Sequence, residues 1–418
     1  MIVLKKIIIF LFFSPFCLIL ILGNFLFRIR FYQINYFIGA SHFLDTYFID
    51  KKNGKYSKYI DLFFFKGITD LKDLNKNNIN IFWSKLLSRK VCKISLDKPK
   101  LFIFKNKILG LIYKLVNFYN LKNLIAPIEK HRTLTLDEEK FYVKNNFRHI
   151  NLRNDDIKLC QKRFEEINKL NSNNLPMVTI NNRDGAFKKK YFSETDFSHH
   201  NYRNFNFEDY TKTLEYACKK YFVIRSANVI EKKSGFRDKN FFEYGNSSLV
   251  SPDLDYYLVY KSKFYIGVNS GPDKFARLSN IPIIYVNDFH LLWSPIWSKK
   301  CISVPVKLFD NKKSKPISFG QMADRNYKLS KKTSLPVGLY SLDQDYKKEN
   351  IKIIYNTQED ILSAFKEMEL LLDSGLNLDD EDIKLQKKFW KIFQKPYNNI
   401  DNFIISPSFL KKNSYLFS

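Results

Sequence analysis

The chain has 418 residues, 45% hydrophobic and 17% aromatic, which excludes global disorder and supplies apolar material for two or three cored domains. Lys and Arg exceed Asp and Glu by 69 − 42 = 27. The surplus is scattered rather than gathered into a basic arm or recognition helix, so no nucleic-acid partner is expected, while anionic membranes and phosphorylated ligands remain.

Lys, Asn, Ile and Phe are abundant together, as an AT-rich genome produces, so the charge permits an anionic ligand without identifying one. The five cysteines (Cys17, Cys92, Cys160, Cys218, Cys301) are an odd number with no paired spacing, which argues for a reducing compartment rather than a disulfide framework. No Cys-x-x-Cys or His-x-x-x-His occurs, so no metal site is expected.

At the N-terminus, Ile7 to Phe27 carries no charge, with Lys5 and Lys6 before it and Arg28 and Arg30 after it. A run of about 20 apolar residues crosses a bilayer core, and no small-x-small cleavage site follows, so residues 1–30 are expected to anchor the protein in a membrane. Short runs rich in Ile, Phe and Tyr at Phe31–Ile38, Tyr59–Phe65 and Ile79–Trp83 predict strands of an N-terminal domain over residues 31–170. The polar stretch Asn168–Asn174 before Pro176 predicts a linker.

A second α/β domain follows over residues 171–345. Its predicted strands are Met177–Ile180, Tyr221–Arg225, Phe264–Val268 and Pro282–Val286, alternating with helices over Phe207–Lys220, Pro252–Lys261 and Asp273–Ser279. Strands alternating with short helices predict a parallel, doubly wound sheet. Residues 346–418 predict a helical extension, with Thr357 capping one helix to about Leu372 and Asp379–Lys395 forming another.

The stretch Phe264–Arg277 carries the clearest chemistry. A buried strand leads into a turn at Asn269-Ser270-Gly271, and a helix begins at Pro272-Asp273, with Lys274 in its first turn. Open parallel sheets bind ligands at the carboxyl ends of their strands, and a helix start there offers backbone N–H groups to phosphate.

Five short motifs occur in order: Asn182-Arg183-Asp184, His200-x-x-Arg203-Asn204 leading into Tyr210, Val223-Ile224-Arg225, Asp253-x-Asp255, and Phe264-x-Ile-Gly267 with Ser270-Gly271. In this order they resemble a bacterial family of glycosyltransferases of the GT-B type, built from two Rossmann-like domains. The N-terminal half resembles the family more weakly, at Asp61-Leu62-Phe63-Phe64. The sequence departs from the family pattern after Arg225, where Ser226-Ala227 replaces the usual glycine, and in the first N-terminal turn, where Gly39 alone is left.

The resemblance implies a metal-independent transfer from a nucleotide-sugar donor to a cell-surface or lipid-linked glycan, with no further cofactor. It implies that the donor phosphates meet Arg183, Asp184, His200, Arg203, Asn204, Arg225, Asn269, Ser270, Gly271 and Lys274. The acceptor's proton needs a base, for which His42 and Asp45 past the first strand are candidates alongside Arg183 as a catalytic cation. Nucleotide sugars and reduced cysteines place the expected body on the cytoplasmic side.

Plainer roles stand beside these. Asn204 or Asn206 caps a helix, Tyr210 packs in the core, and Asp253 and Asp255 favour the first turn of the helix opened by Ser251-Pro252 rather than a metal. A sugar-nucleotide epimerase or hydrolase on the same fold, and a non-catalytic basic protein that binds membrane or nucleic acid, are the alternatives.

Overall fold

The computed structural model describes residues 15, 29–35, 43–52, 54, 60–75, 79–118, 149–289, 300–333, 343–393 and 403–418. The expected anchor Ile7–Phe27 lies outside them; among the described residues no helix is long and apolar enough to cross a membrane. The chain forms two compact units, residues 1–132 and 133–418. The segment Asn168–Asn174, expected to be a linker, therefore falls inside the second unit.

In the first unit, β1 (Ile29–Asn35) and β2 (Ile60–Lys66) pair in parallel, with Phe31 opposite Leu62. Phe31 and Phe64 pack against Leu109 and Ile112 of the helix Pro99–Phe118. Asn106 on that helix fixes the end of β2, accepting from the Phe65 amide at 2.6 Å and donating to the Phe65 and Ile68 carbonyls. The Ile79–Trp83 strand is overturned: Ile81–Val91 is a helix. Asn80 decides it, its side chain accepting from the Trp83 amide as an N-cap, and Phe82, Trp83, Leu86 and Leu87 then share one buried face.

The second unit is α/β with a large parallel sheet. Its strands are β3 (Met177–Ile180), β4 (Phe222–Arg225), β5 (Phe241–Glu243), β6 (Tyr265–Gly267), β7 (Ile283–Asp288) and β8 (Cys301–Pro305). A small antiparallel sheet of β9 (Lys307–Asp310), β10 (Lys315–Ile317) and β11 (Ile351–Ile354) follows, and β12 (Phe403–Ile405) returns to the large one. The seven strands lie in the order β12-β8-β7-β6-β3-β4-β5, all parallel. Continuous apolar runs such as Ile283-Ile-Tyr-Val286 suit strands buried on both faces.

The expected helix Phe207–Lys220 is shorter, a 3-10 turn at Phe207–Tyr210 continuing as α-helix only over Thr211–Ala217. Residues 346–418 supply β11 and β12 as well as helices, so part of the expected extension is sheet. The strand order fixes where a ligand meets the sheet. From β3 the chain works outward through β4 and β5, then crosses back to β6 and proceeds to β7, β8 and β12. The order reverses between the adjacent strands β3 and β6, and at such a switch point the loops leave in opposite directions and open a crevice.

Candidate functional site

Beyond β3 the chain runs through Asn181-Asn182-Arg183-Asp184-Gly185 into the helix Ala186–Tyr191. Gly185 holds φ at +82°, which an L side chain adopts at a cost, and a Cβ there would meet the Asn204 Nδ2 at 3.4 Å. The chain then returns as a 3-10 turn, Ser198–Arg203. Tyr202 in that turn is buried against Phe289 and Tyr346, and its carbonyl accepts from the Tyr355 hydroxyl at 3.0 Å.

This return joins the two sides of the switch point. On the β3 side, the Arg183 Nη1 donates to the His200 carbonyl at 2.9 Å and to the Asn204 Oδ1, while the Arg183 carbonyl accepts from the Phe205 amide. On the β6 side, the Arg203 Nη1 donates to the Asn269 carbonyl at 3.2 Å. Both guanidiniums therefore spend their hydrogen bonds on neutral oxygens, and among the described residues neither has a carboxylate within salt-bridge distance.

The electrostatics follow. Burial, and after it the charge of Arg203, lowers the Arg183 pKa to about 10, so it stays cationic at neutral pH. Lys188, one turn into the helix after β3, lies 4.1 Å from the Phe197 ring centroid and 4.8 Å from that of Phe192. Burial and the same two arginines lower its pKa to about 8. His200 sits among all three cations, its ring tilted against that of His199 with centroids 4.0 Å apart. Burial, then Arg203, His199, Arg183 and Lys188, lower its pKa to about 3, so the imidazole is neutral. Its Nδ1 is buried with no hydrogen-bond partner.

Arg183, His200, Arg203 and Asn204 are thus brought together as a cationic wall, and Lys188 joins them. Lys188 had been hidden in the run Lys188-Lys189-Lys190; its place on the first turn after the switch-point strand was the signal.

The remaining candidates do other work. Arg225 is buried at the end of β4 with both terminal nitrogens engaged: it donates to the Lys232 carbonyl at 3.0 Å, to Glu243 at 2.7 Å and to Asn182 at 3.0 Å, and its guanidinium lies over Phe207. It braces β4 and its neighbours rather than meeting a phosphate. Asp184 accepts from the Ala186 and Glu231 amides and so holds the loop.

The turn after β6 is corrected as well. The Ser270 amide is already donated to Asp273 at 3.1 Å. Both Asp273 oxygens also accept from Lys274 at 2.9 Å, and one accepts from the Tyr285 hydroxyl at 3.1 Å. A buried carboxylate thus occupies the helix start where phosphate was expected, and the helix is only Asp273–Leu278. Asn269, Ser270, Gly271 and Lys274 shape the wall that Arg203 grips; the Asn269 Oδ1 accepts from Lys274 at 3.2 Å.

Tyr210 is fully buried, as expected, its hydroxyl donating to the Asn181 carbonyl. Asp253 pairs with Arg163 at 2.6 Å and Asp255 accepts from Tyr244 and Asn228, so both serve the helix Pro252–Lys261. Among the described residues no three His, Cys, Asp or Glu side chains converge as metal ligands. His42 lies outside the described residues; Asp45 is on the helix Phe43–Lys52, with its side chain outside them.

Fold and site together define an α/β protein with a large parallel sheet and a cluster of cationic side chains beside its switch point. The chain matches no protein-family model, no curated protein and no solved structure.

Proposed function

We propose that the chain is a glycosyltransferase whose second unit binds a nucleotide-sugar donor at the β3–β6 switch point and whose acceptor is a cell-surface or lipid-linked glycan. The observation that carries this reading is the pair Arg183 and Arg203, two neighbouring cations whose hydrogen bonds among the described residues go only to neutral oxygens. Cations held that way are poised for an incoming anion of two or more charges, and a guanidinium meets phosphate oxygens two at a time. In this reading Arg183, Arg203 and Lys188 hold the diphosphate and stabilise the charge that grows on it as the sugar leaves. His200, neutral, offers an Nδ1–H to a phosphate oxygen. No step passes through a metal.

Within the same reading the first unit is the acceptor half of a GT-B arrangement, for which its parallel strand pair beneath a helix is the support. The cationic wall supplies no base, so His42 and Asp45 are the positions to substitute first in search of one.

The test is thermal stabilisation of the full chain by UDP, GDP, ADP and CMP in EDTA, beside Arg183→Ala. A ligand at about 100 times its Kd adds about 2.7 kcal/mol, a readily measured shift in melting temperature. One nucleotide should stabilise the wild type and not the variant. Absence of stabilisation by all four, with none from inorganic pyrophosphate either, would sink the proposal.

A further inference from the structure

The helix Pro99–Phe118 presents two faces of different chemistry. Phe102, Asn106, Leu109 and Ile112 turn toward β2 and are buried. On the opposite side Leu101, Phe104 and Ile108 are 53%, 66% and 36% exposed, although nothing polar relieves them. Half-buried Leu111 and Leu115 continue the same stripe at spacings of three and four residues, so it runs straight along the helix.

Exposed Lys100, Lys107 and Lys114 stand seven residues apart along one edge of that stripe, and the helix contains no Asp or Glu at all. No described carboxylate pairs with these three lysines. Lys105 is different, turning back to the Phe63 carbonyl at 3.3 Å.

We propose that this helix docks in the plane of a bilayer surface carrying anionic headgroups, with Leu101, Phe104 and Ile108 among the acyl chains and Lys100, Lys107 and Lys114 on the phosphates. A helix with an apolar stripe and an all-cationic flank lies on such a surface rather than crossing it. Charge complementarity selects the occupant. A second copy of this helix fits the three-four spacing, but the stripe spans only two heptads and would bring lysine rows together without an acidic partner. The sequence ahead of this helix also carries the uncharged run Ile7–Phe27, expected above to enter a membrane. The inference is independent of the nucleotide reading.

The test places the photo-crosslinker p-benzoylphenylalanine at Phe104 of the full chain, with the same label at exposed Lys93 as control. The protein is illuminated on vesicles of phosphatidylcholine alone and of phosphatidylcholine with about 30% phosphatidylglycerol, and adducts are read by mass. Each lysine near such a surface is worth about fivefold in binding at low salt. Phospholipid adducts at 104 should therefore rise at least fivefold on the anionic vesicles. They should fall back in about 0.5 M salt and in Lys100→Glu/Lys107→Glu/Lys114→Glu, while the Lys93 label stays unreacted with lipid. Adducts to a second chain, adducts within the chain, or equal lipid adducts on both vesicles would each overturn the proposal. Far-ultraviolet circular dichroism identifies any variant that has lost its fold.

Discussion

Arg203 in the return turn and Arg225 at the end of β4 have opposite economies. Arg203 adds positive charge to a group that already repels it and bonds only to the Asn269 carbonyl. Arg225 is enclosed and answers Glu243 and Asn182 directly. Arg203→Ala should leave the unliganded protein as stable as the wild type or more so, because a like charge leaves the cluster, while weakening nucleotide binding. A lost charge-assisted hydrogen bond of about 1.5–3 kcal/mol corresponds to about 10- to 150-fold in Kd. Arg225→Ala should instead cost about 3–5 kcal/mol of stability by leaving Glu243 half-buried without its partner. Calorimetry for affinity and denaturant titration for stability separate the two; equal behaviour would refute the division.

Proton linkage at the same wall has a definite sign. His200 is lowered from its usual 6.5 to about 3, so between those values the unfolded chain binds more protons than the folded one. Its contribution to stability is complete above about pH 6.5 and is lost as pH falls toward 3. Lys188, lowered from 10.5 to about 8, makes stability rise with pH between those values. A bound phosphate favours protonated Lys188, so affinity should fall as pH climbs through 8. Urea titrations from pH 4 to pH 7 should show a shallower acid loss for His200→Asn than for the wild type. Parallel slopes would remove His200 as the cause.

Among the elements, the turn after β6 depends on one carboxylate. Asp273 gathers the Ser270 amide, Lys274 and the Tyr285 hydroxyl in a site closed to water. Asp273→Asn keeps the shape but removes the carboxylate that Lys274 at 2.9 Å and Arg277 at 3.8 Å share, and should cost about 3–5 kcal/mol. Denaturant unfolding measures it, and Asp273→Asn/Lys274→Met should recover much of the loss. Failure of that rescue would show that the amide and hydroxyl bonds or the Arg277 contact, not the Lys274 pair, matter most.

Much of the sheet was legible for a simple reason: Met177–Ile180, Phe222–Ile224 and Ile283–Val286 are short, mainly apolar runs between polar turns. The edge strands β5 and β12 have three residues each, too few to carry a period, and went unread. Ile79–Trp83 looks like a strand by composition, but the Asn80 cap decides for helix. At the candidate site, the residues after β3 and in the return turn do lie together, as position relative to a strand end suggests. Arg225 satisfied the same rule and was misread. What removes it is the chain returning through Lys232 and Glu243 to enclose it, a tertiary fact with no local signal. Likewise Ser270-Gly271 looked open because nothing in the sequence says that Asp273 folds back on its own turn.

At the scale of the molecule, the second unit gathers its sheet from distant parts of the chain. β12 pairs with β8 in parallel, Phe403 beside Cys301, and the Gln386 side chain clamps Ile405 by bonding its carbonyl and amide. Helix Gln358–Asp373 lies against β8, and Phe365, Met368 and Ile361 bury into that face. That pairing has a consequence in time. Closing so long a loop costs chain entropy before any contact compensates it, so the β3–β8 portion should assemble first and β12 last. Until then β8 is a bare edge able to template a strand from another molecule, and refolding yield should decline with protein concentration even where the finished fold is stable.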